Sequence, residues 1–289
     1  MRAVVIEEYG EPEVVRVREH PVPQPGAGEV AIAVHFASMN YTDVRNCLGD
    51  GLGRVPFVPG VEVSGRIERL GPGVEGFSIG QPVAALTRGS AHAEVAVARA
   101  SLTVALTEDL ASRPESGAML VTVPVALLLL GHAAHVGPGD IVLVHGAAGG
   151  AGTALAQVAR IDGLATPWGT VGSSEWVTFA AARGYGAVFS YDGFTNDVFA
   201  RTEGSGVDVV LDPIGGSVRA ASFEILAPLG RLVTSSNVSR EPEPIPDAEW
   251  LRARCAACIG LSVGQLSGRT PGYVRPWLEE AVRLVGRGP

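Results

Sequence analysis

The chain has 289 residues, 46% of them hydrophobic and 38 of them glycine, with a formal net charge of -8. That length holds two domains with substantial cores, and an acidic balance without a Lys/Arg cluster excludes nucleic acid and an anionic membrane as main partners. No signal peptide and no membrane span are expected. Met1 to Ile6 runs directly into Glu7 and Glu8, and the most apolar run, Val121 to Leu130, is interrupted by Thr122 and Pro124 and falls far short of the about 20 residues that a spanning helix needs.

Met1 to Ile6 and Val14 to Val17 read as short strands about a turn at Gly10 to Pro12. A Pro-rich link, His20 to Gly28, leads to Glu29 to Phe36, where Val30, Ile32 and Val34 alternate with less apolar neighbours. Turns at Gly49 to Gly53 and Gly71 to Gly76 bracket a strand from Val61 to Leu70, and Val95, Val97, Leu102 and Val104 predict further strands. The first ~110 residues therefore form a mostly β domain.

After Pro114 the pattern changes to buried strands alternating with helices. Ile141 to Gly152 reads IVLVHGAAGGAG: a four-residue apolar strand, a small-residue turn, then helical character from Thr153 to Ile161. Glycines in such a turn let backbone approach a ligand, and the helix N-terminus offers N–H groups and a positive dipole end to a pyrophosphate. Gly149 and Gly152 fill the last two glycine places of G-x-G-x-x-G, with Ala147 in the first. Further strands follow at Gly163 to Val171, beginning after Pro167 because proline removes a ladder hydrogen bond, then at Ala187 to Ser190, Val207 to Leu211 and Arg231 to Thr234. Helices over Glu175 to Arg183 and Ser217 to Ala227 separate them, which predicts a doubly wound parallel sheet. Arg240 to Asp247 reads as a Pro/Glu-rich loop.

Cys47, Cys255 and Cys258 make no disulfide framework, which fits a reducing cytoplasm. Cys255 and Cys258 form a lone C-x-x-C without further zinc ligands, expected as two buried residues, with a redox dithiol as the alternative. The six histidines show no H-E-x-x-H spacing. His132 and His135 are expected at the surface near Gly137, and His145 in the turn beside the phosphates.

These segments, with MRAVVIEEYG at Met1 to Gly10, MNYTD at Met39 to Asp43, PFVPGVEVSG at Pro56 to Gly65, VDVVLDPIGG at Val207 to Gly216 and GRLVTSSN at Gly230 to Asn237, resemble the zinc-free quinone oxidoreductase and enoyl reductase branch of the medium-chain dehydrogenase/reductase superfamily. The resemblance implies an α/β protein: a GroES-like, mostly β catalytic domain over residues 1–113 and a Rossmann nucleotide-binding domain over residues 114–289, with substrate and nicotinamide meeting in the cleft. In zinc-containing relatives a Cys precedes the residues aligned with Tyr41 to Asp43 and a His sits within G-H-E. Here Asn40 and Val61 hold those places, so activity is expected to be independent of zinc. Asn40 matches the family residue near the nicotinamide ribose and substrate. Tyr41 beside it either donates a hydrogen bond to the substrate oxygen or only packs in the cleft wall, and Asp43 is expected to cap a helix.

For the cofactor, NADPH, the resemblance implies Asn40, Val125, Ala147, Ala148, Gly149, Gly150, Ala151, Gly152, Gly172, Ser173, Ser174, Tyr191 and Asn237. No acid stands between Thr166 and Ser174 to repel a 2′-phosphate, although Glu175 follows and Trp176 replaces a common Lys. Other departures are Val125-Ala126 for Thr-Ala, Gly80-Gln81-Pro82-Val83 for G-D-R-V, and Gly51 for an aromatic. Relatives also continue past the helix at Tyr273 to Val285 with a return to the first domain; that return is expected to be missing, or the sequence to be incomplete. The implied activity is hydride transfer from NADPH to a quinone or an α,β-unsaturated carbonyl, in a homodimer joined near Ile259 to Gly264. The alternatives are a member of the fold that has become a non-redox enzyme or a binding protein and, more remotely, a zinc-dependent alcohol dehydrogenase.

Overall fold

A computed structural model describes residues 1–51, 54–161 and 163–287. The chain divides into two compact units, Met1–Pro124 with Gly264–Pro289, and Val125–Val263. The turn expected at Gly49 to Gly53 lies partly outside the described residues.

In the first unit β1 (Arg2–Ile6) and β2 (Val15–Glu19) form an antiparallel ribbon. The main sheet comprises β3 (Glu29–Ala37), β4 (Glu62–Leu70), β5 (Pro82–Leu86), β6 (Val95–Arg99) and β7 (Thr103–Ala105), antiparallel in the order β6-β3-β4-β5-β7. Register shifts between Ala31 and Ile32 and between Val34 and Phe36 interrupt the β3–β4 ladder, and bulges of this kind bend and twist a sheet. Val30, Ile32, Val63, Ile67 and Val83 form its buried core.

The second unit is a six-stranded parallel sheet of β8 (Val142–His145), β9 (Trp168–Val171), β10 (Ala187–Ser190), β11 (Val207–Asp212), β12 (Leu226–Thr234) and β13 (Ala257–Gly260). Its order, β10-β9-β8-β11-β12-β13, reverses beside β8, where such sheets bind dinucleotides. Leu143, Val210, Leu232, Phe189 and Phe223 pack its core. β9 does begin one residue after Pro167. The helix expected to reach Ala227 stops at Glu224, because Pro228 would cost a fourth-back hydrogen bond, and β12 starts at Leu226 instead. The helix Phe194–Arg201 and strand β13 were not visible in the sequence pattern.

At the chain's end Gly264–Pro289 groups with Met1–Pro124, and the helix Pro271–Gly286 contains the stretch Tyr273 to Val285, past which relatives are expected to continue. Val274, Leu278, Ala281 and Leu284 bury one face of the second helix, and Arg275 donates from Nη1 to the Ala100 carbonyl at 3.0 Å, within the first unit. The cysteine pair is not buried: Cys255 is exposed in a left-handed helix cap and Cys258 is half-buried on the outermost strand of the sheet. Among the described residues no helix is long and apolar enough to cross a membrane.

Candidate active site

In the first unit β3 runs into Ser38, Met39 and Asn40, and Asn40 caps the helix Tyr41–Cys47 from an extended conformation. Its N–H donates to Asp43 Oδ2 at 2.8 Å, and Gly60 N–H donates to Asp43 Oδ1 at 2.9 Å. Asp43 is therefore a clip between the helix start and the approach to β4, the capping role expected of it.

Glu62 opens β4 and is 1% exposed. Its Oε1 accepts from Ser38 Oγ at 2.5 Å and from Asn40 Nδ2 at 3.1 Å, and its Oε2 accepts from the N–H groups of Leu120 at 2.8 Å and Val121 at 3.0 Å. Burial raises the carboxyl above its ordinary pKa, and the four neutral donors oppose that shift. Asn40 Nδ2 also donates to Ser38 Oγ at 2.8 Å, so it faces both ends of the Ser38–Glu62 hydrogen bond. Glu62 was overlooked in the sequence, although it completes the Gly60-Val61-Glu62 triplet examined for its missing histidine. Tyr41 is the first residue of the helix and 43% exposed.

In the second unit β8 ends at His145, and Gly146 turns the chain with φ of 71°. Ala147 N–H donates to the Thr170 carbonyl at 3.0 Å and Gly149 N–H to the Gly146 carbonyl at 2.9 Å before the helix Gly150–Ile161 begins. A Cβ at Gly152 would lie 2.3 Å from the Gly146 oxygen and 2.8 Å from Ala147 Cα, so only glycine allows this approach of helix to turn. Tyr185 Oη donates to the Gly152 carbonyl at 2.6 Å from beneath. Gly149 and Gly150 are exposed, Ala148 and Ala151 half-buried. Amides in the first helical turn have no intrahelical acceptor, which suits a pyrophosphate. The residues present fit a dinucleotide.

Gly172 and Tyr191 join this turn. A Cβ on Gly172 would stand 3.4 Å from the Tyr191 ring, and burial pushes the pKa of the Tyr191 hydroxyl up to about 12. Ser173 is extended and leads into the turn Ser174–Trp176, with Ser174, Glu175 and Trp176 exposed. Val125 stands apart in the helix Thr122–Leu127, half-buried. Asn237 lies in the loop after β12, where its Nδ2 donates to the Glu241 carbonyl at 2.8 Å and its Oδ1 accepts from Ser239 Oγ at 2.9 Å.

His145 is no turn residue: it is the last residue of β8 and fully buried. Ser222 Oγ donates to the Val218 carbonyl at 2.7 Å, so it accepts from His145 Nε2–H at 2.7 Å, which leaves Nδ1 to accept from Thr170 Oγ1 at 2.6 Å. Phe194 stands edge-on to the ring at 5.1 Å. Burial lowers the imidazole pKa to about 4, so the ring is neutral at pH 7.

Residues 26–123 match the family described as alcohol dehydrogenase GroES-like domain, and residues 150–280 the family described as zinc-binding dehydrogenase. The chain is 32% identical over 239 residues to rat quinone oxidoreductase, a match covering 81% of this chain and 72% of that protein. It belongs to the quinone oxidoreductase branch of the medium-chain dehydrogenase/reductase superfamily. Within that superfamily it is also 31% identical over 241 residues to the rat synaptic vesicle membrane protein VAT-1 homolog, where the match covers 81% of this chain but only 59% of the longer relative. A mycobacterial protein solved in complex with NADPH shares the fold with a TM-score of 0.90 and 31% identity, covering 100% of this chain and 89% of that one.

Proposed function

We propose that the chain is an NADPH-dependent oxidoreductase that reduces a quinone or an α,β-unsaturated carbonyl without zinc. The observation that carries this reading is the turn from His145 to Gly152, where the absence of a Cβ at Gly152 lets the helix N-terminus close on the strand end at the reversal point of the sheet. NADPH, when bound, supplies the hydride. The amides of Gly150 to Gly152 receive its pyrophosphate, and Gly172, Ser173 and Ser174 offer backbone and hydroxyl donors to a 2′-phosphate, which favours NADPH over NADH. Tyr41, at the first position of the helix that Asn40 precedes, is the side chain assigned to meet charge developing on the substrate oxygen. Three free cysteines fit a reducing cytoplasm, and the place of β13 at the edge of the sheet among the described residues supports a homodimer joined there.

The test is fluorescence titration with NADPH and with NADH, followed by loss of reduced-nicotinamide absorbance across a panel of quinones and enones in chelator. Tight NADPH binding with turnover in chelator is expected. NADPH binding without turnover of any acceptor would instead favour a binding protein, and turnover lost on chelation would restore zinc. Light scattering that gives a monomer at micromolar concentration would remove the dimer.

A further inference from the structure

We infer that His145 and Thr170 are positioning residues that hold the pyrophosphate turn and the 2′-phosphate turn at the spacing a single NADPH spans, and that their contact thereby sets the preference for NADPH over NADH. This rests on the assignment of those two turns to NADPH. The turns leave neighbouring strands of the second unit: β8 ends at His145, β9 ends at Val171, and His145 lies opposite Thr170 in their parallel pairing. Thr170 holds the residues on either side of Gly146. Its carbonyl accepts from Ala147 N–H at 3.0 Å, and its hydroxyl meets His145 Nδ1 at 2.6 Å. The side-chain bond runs one way only. Ser222 Oγ has its hydrogen on the Val218 carbonyl and accepts from His145 Nε2–H at 2.7 Å, so in the neutral ring Nδ1 is a lone pair and Thr170 donates to it. His145, Thr170 and Ser222 are fully buried, and solvent does not replace a partner lost from this row of bonds. Movement here reaches both turns. The Gly146 carbonyl accepts from Gly149 N–H at 2.9 Å and stands 2.3 Å from where a Cβ on Gly152 would lie, so a shift at the end of β8 passes to the helix start that presents the amides. Gly172, Ser173 and Ser174 follow β9 directly, so a shift at Thr170 passes to the hydroxyl donors. A ligand that engages two subsites at once gains from their fixed spacing, and one without a group for the second does not. NADH lacks the 2′-phosphate.

Thr170→Val separates this role from simple packing, because it keeps the shape and the backbone carbonyl and leaves Nδ1 a buried acceptor without a donor. By fluorescence titration without substrate, NADPH affinity is expected to fall about tenfold while NADH affinity stays within about twofold of the wild type. Thr170→Ser returns the hydroxyl and is expected to bring NADPH affinity back to within about threefold. A variant that is less stable but still folded, with its turns in place, keeps the wild-type ratio of the two affinities. An unchanged ratio in Thr170→Val, whether both affinities fall or neither does, overturns the assignment, as does a Thr170→Ser variant that recovers nothing. If Thr170→Val does not fold, Ser222→Ala decides: it leaves Thr170 in place and frees the Nε2–H end of the ring, and a loss confined to NADPH supports the assignment while an unchanged ratio overturns it. A wild-type chain that binds NADPH no better than NADH refutes the 2′-phosphate reading, and this assignment with it, before any variant is made.

Discussion

Arg219 Nε donates to Asp212 Oδ2 across 2.6 Å, and neither side chain has any exposure to solvent. The other Asp212 oxygen accepts from the N–H groups of Ile214 at 2.7 Å and Gly215 at 3.0 Å, while Arg219 also donates to the Ser236 carbonyl at 2.8 Å and to Glu243. One buried pair thereby ties together the loops that follow β11 and β12. Replacing Arg219 by Leu strands a buried carboxylate and is expected to cost about 3–5 kcal/mol of stability in a denaturant titration. Glu243→Gln touches a side chain that is 47% exposed and is expected to cost less than ~1 kcal/mol. Equal losses would show that Asp212 is not the centre of the network.

His145 gives the second unit a dependence on pH. Its folded pKa of about 4 lies below the ordinary 6.5, so the unfolded chain binds a proton that the folded chain refuses between those values. The contribution is complete above pH ~6.5, falls as pH drops toward ~4, and amounts to about 3 kcal/mol. Subtracting the stability curve of His145→Gln from that of the wild type isolates it from the carboxylates. A difference curve that is flat between those pH values would show that the ring is not held neutral.

Tyr41→Phe removes the proposed donor and leaves the ring. Loss of one such donor costs about 2.7–4 kcal/mol of barrier in other enzymes, so turnover is expected to fall by about a hundredfold or more with NADPH affinity nearly unchanged. A fall of less than about threefold would make Tyr41 a wall residue.

At Gly152 the neighbouring atoms are backbone and cannot give way. Gly152→Ala is expected to open the turn, lower stability by about 1–3 kcal/mol and weaken NADPH binding more than about tenfold. Gly137→Ala, with open space around it, is expected to stay within about 0.5 kcal/mol of wild type.

Five of the six strands of the second unit were legible because each holds a short apolar run bounded by turn residues; Ala187 to Ser190 matches β10 residue for residue. The glycine turn was legible because its requirement is local. The Glu62–Asn40 contact was not, since only the β3–β4 pairing brings residue 62 beside residue 40, and a single charged residue at a strand start carries no periodicity. His145 was misread for a related reason: a polar residue next to glycine resembles a turn until Thr170 and Ser222 are seen on either side of it. The amphipathic pattern of Pro271–Gly286 announced a helix but not the unit into which its apolar face packs.

Because Gly264 onward belongs with Met1–Pro124, the first unit is assembled from both ends of the chain and the second is carried as one uninterrupted insertion. During synthesis the parallel sheet has every strand outside the ribosome before the antiparallel unit has its last helix. A fragment ending at Pro124 would leave exposed the surface that Val274, Leu278 and Ala281 cover, whereas joining residue 124 to residue 264 through a linker long enough to span them would restore it. Excision of the inserted segment, rather than truncation of the chain, is therefore the way to obtain the antiparallel unit alone.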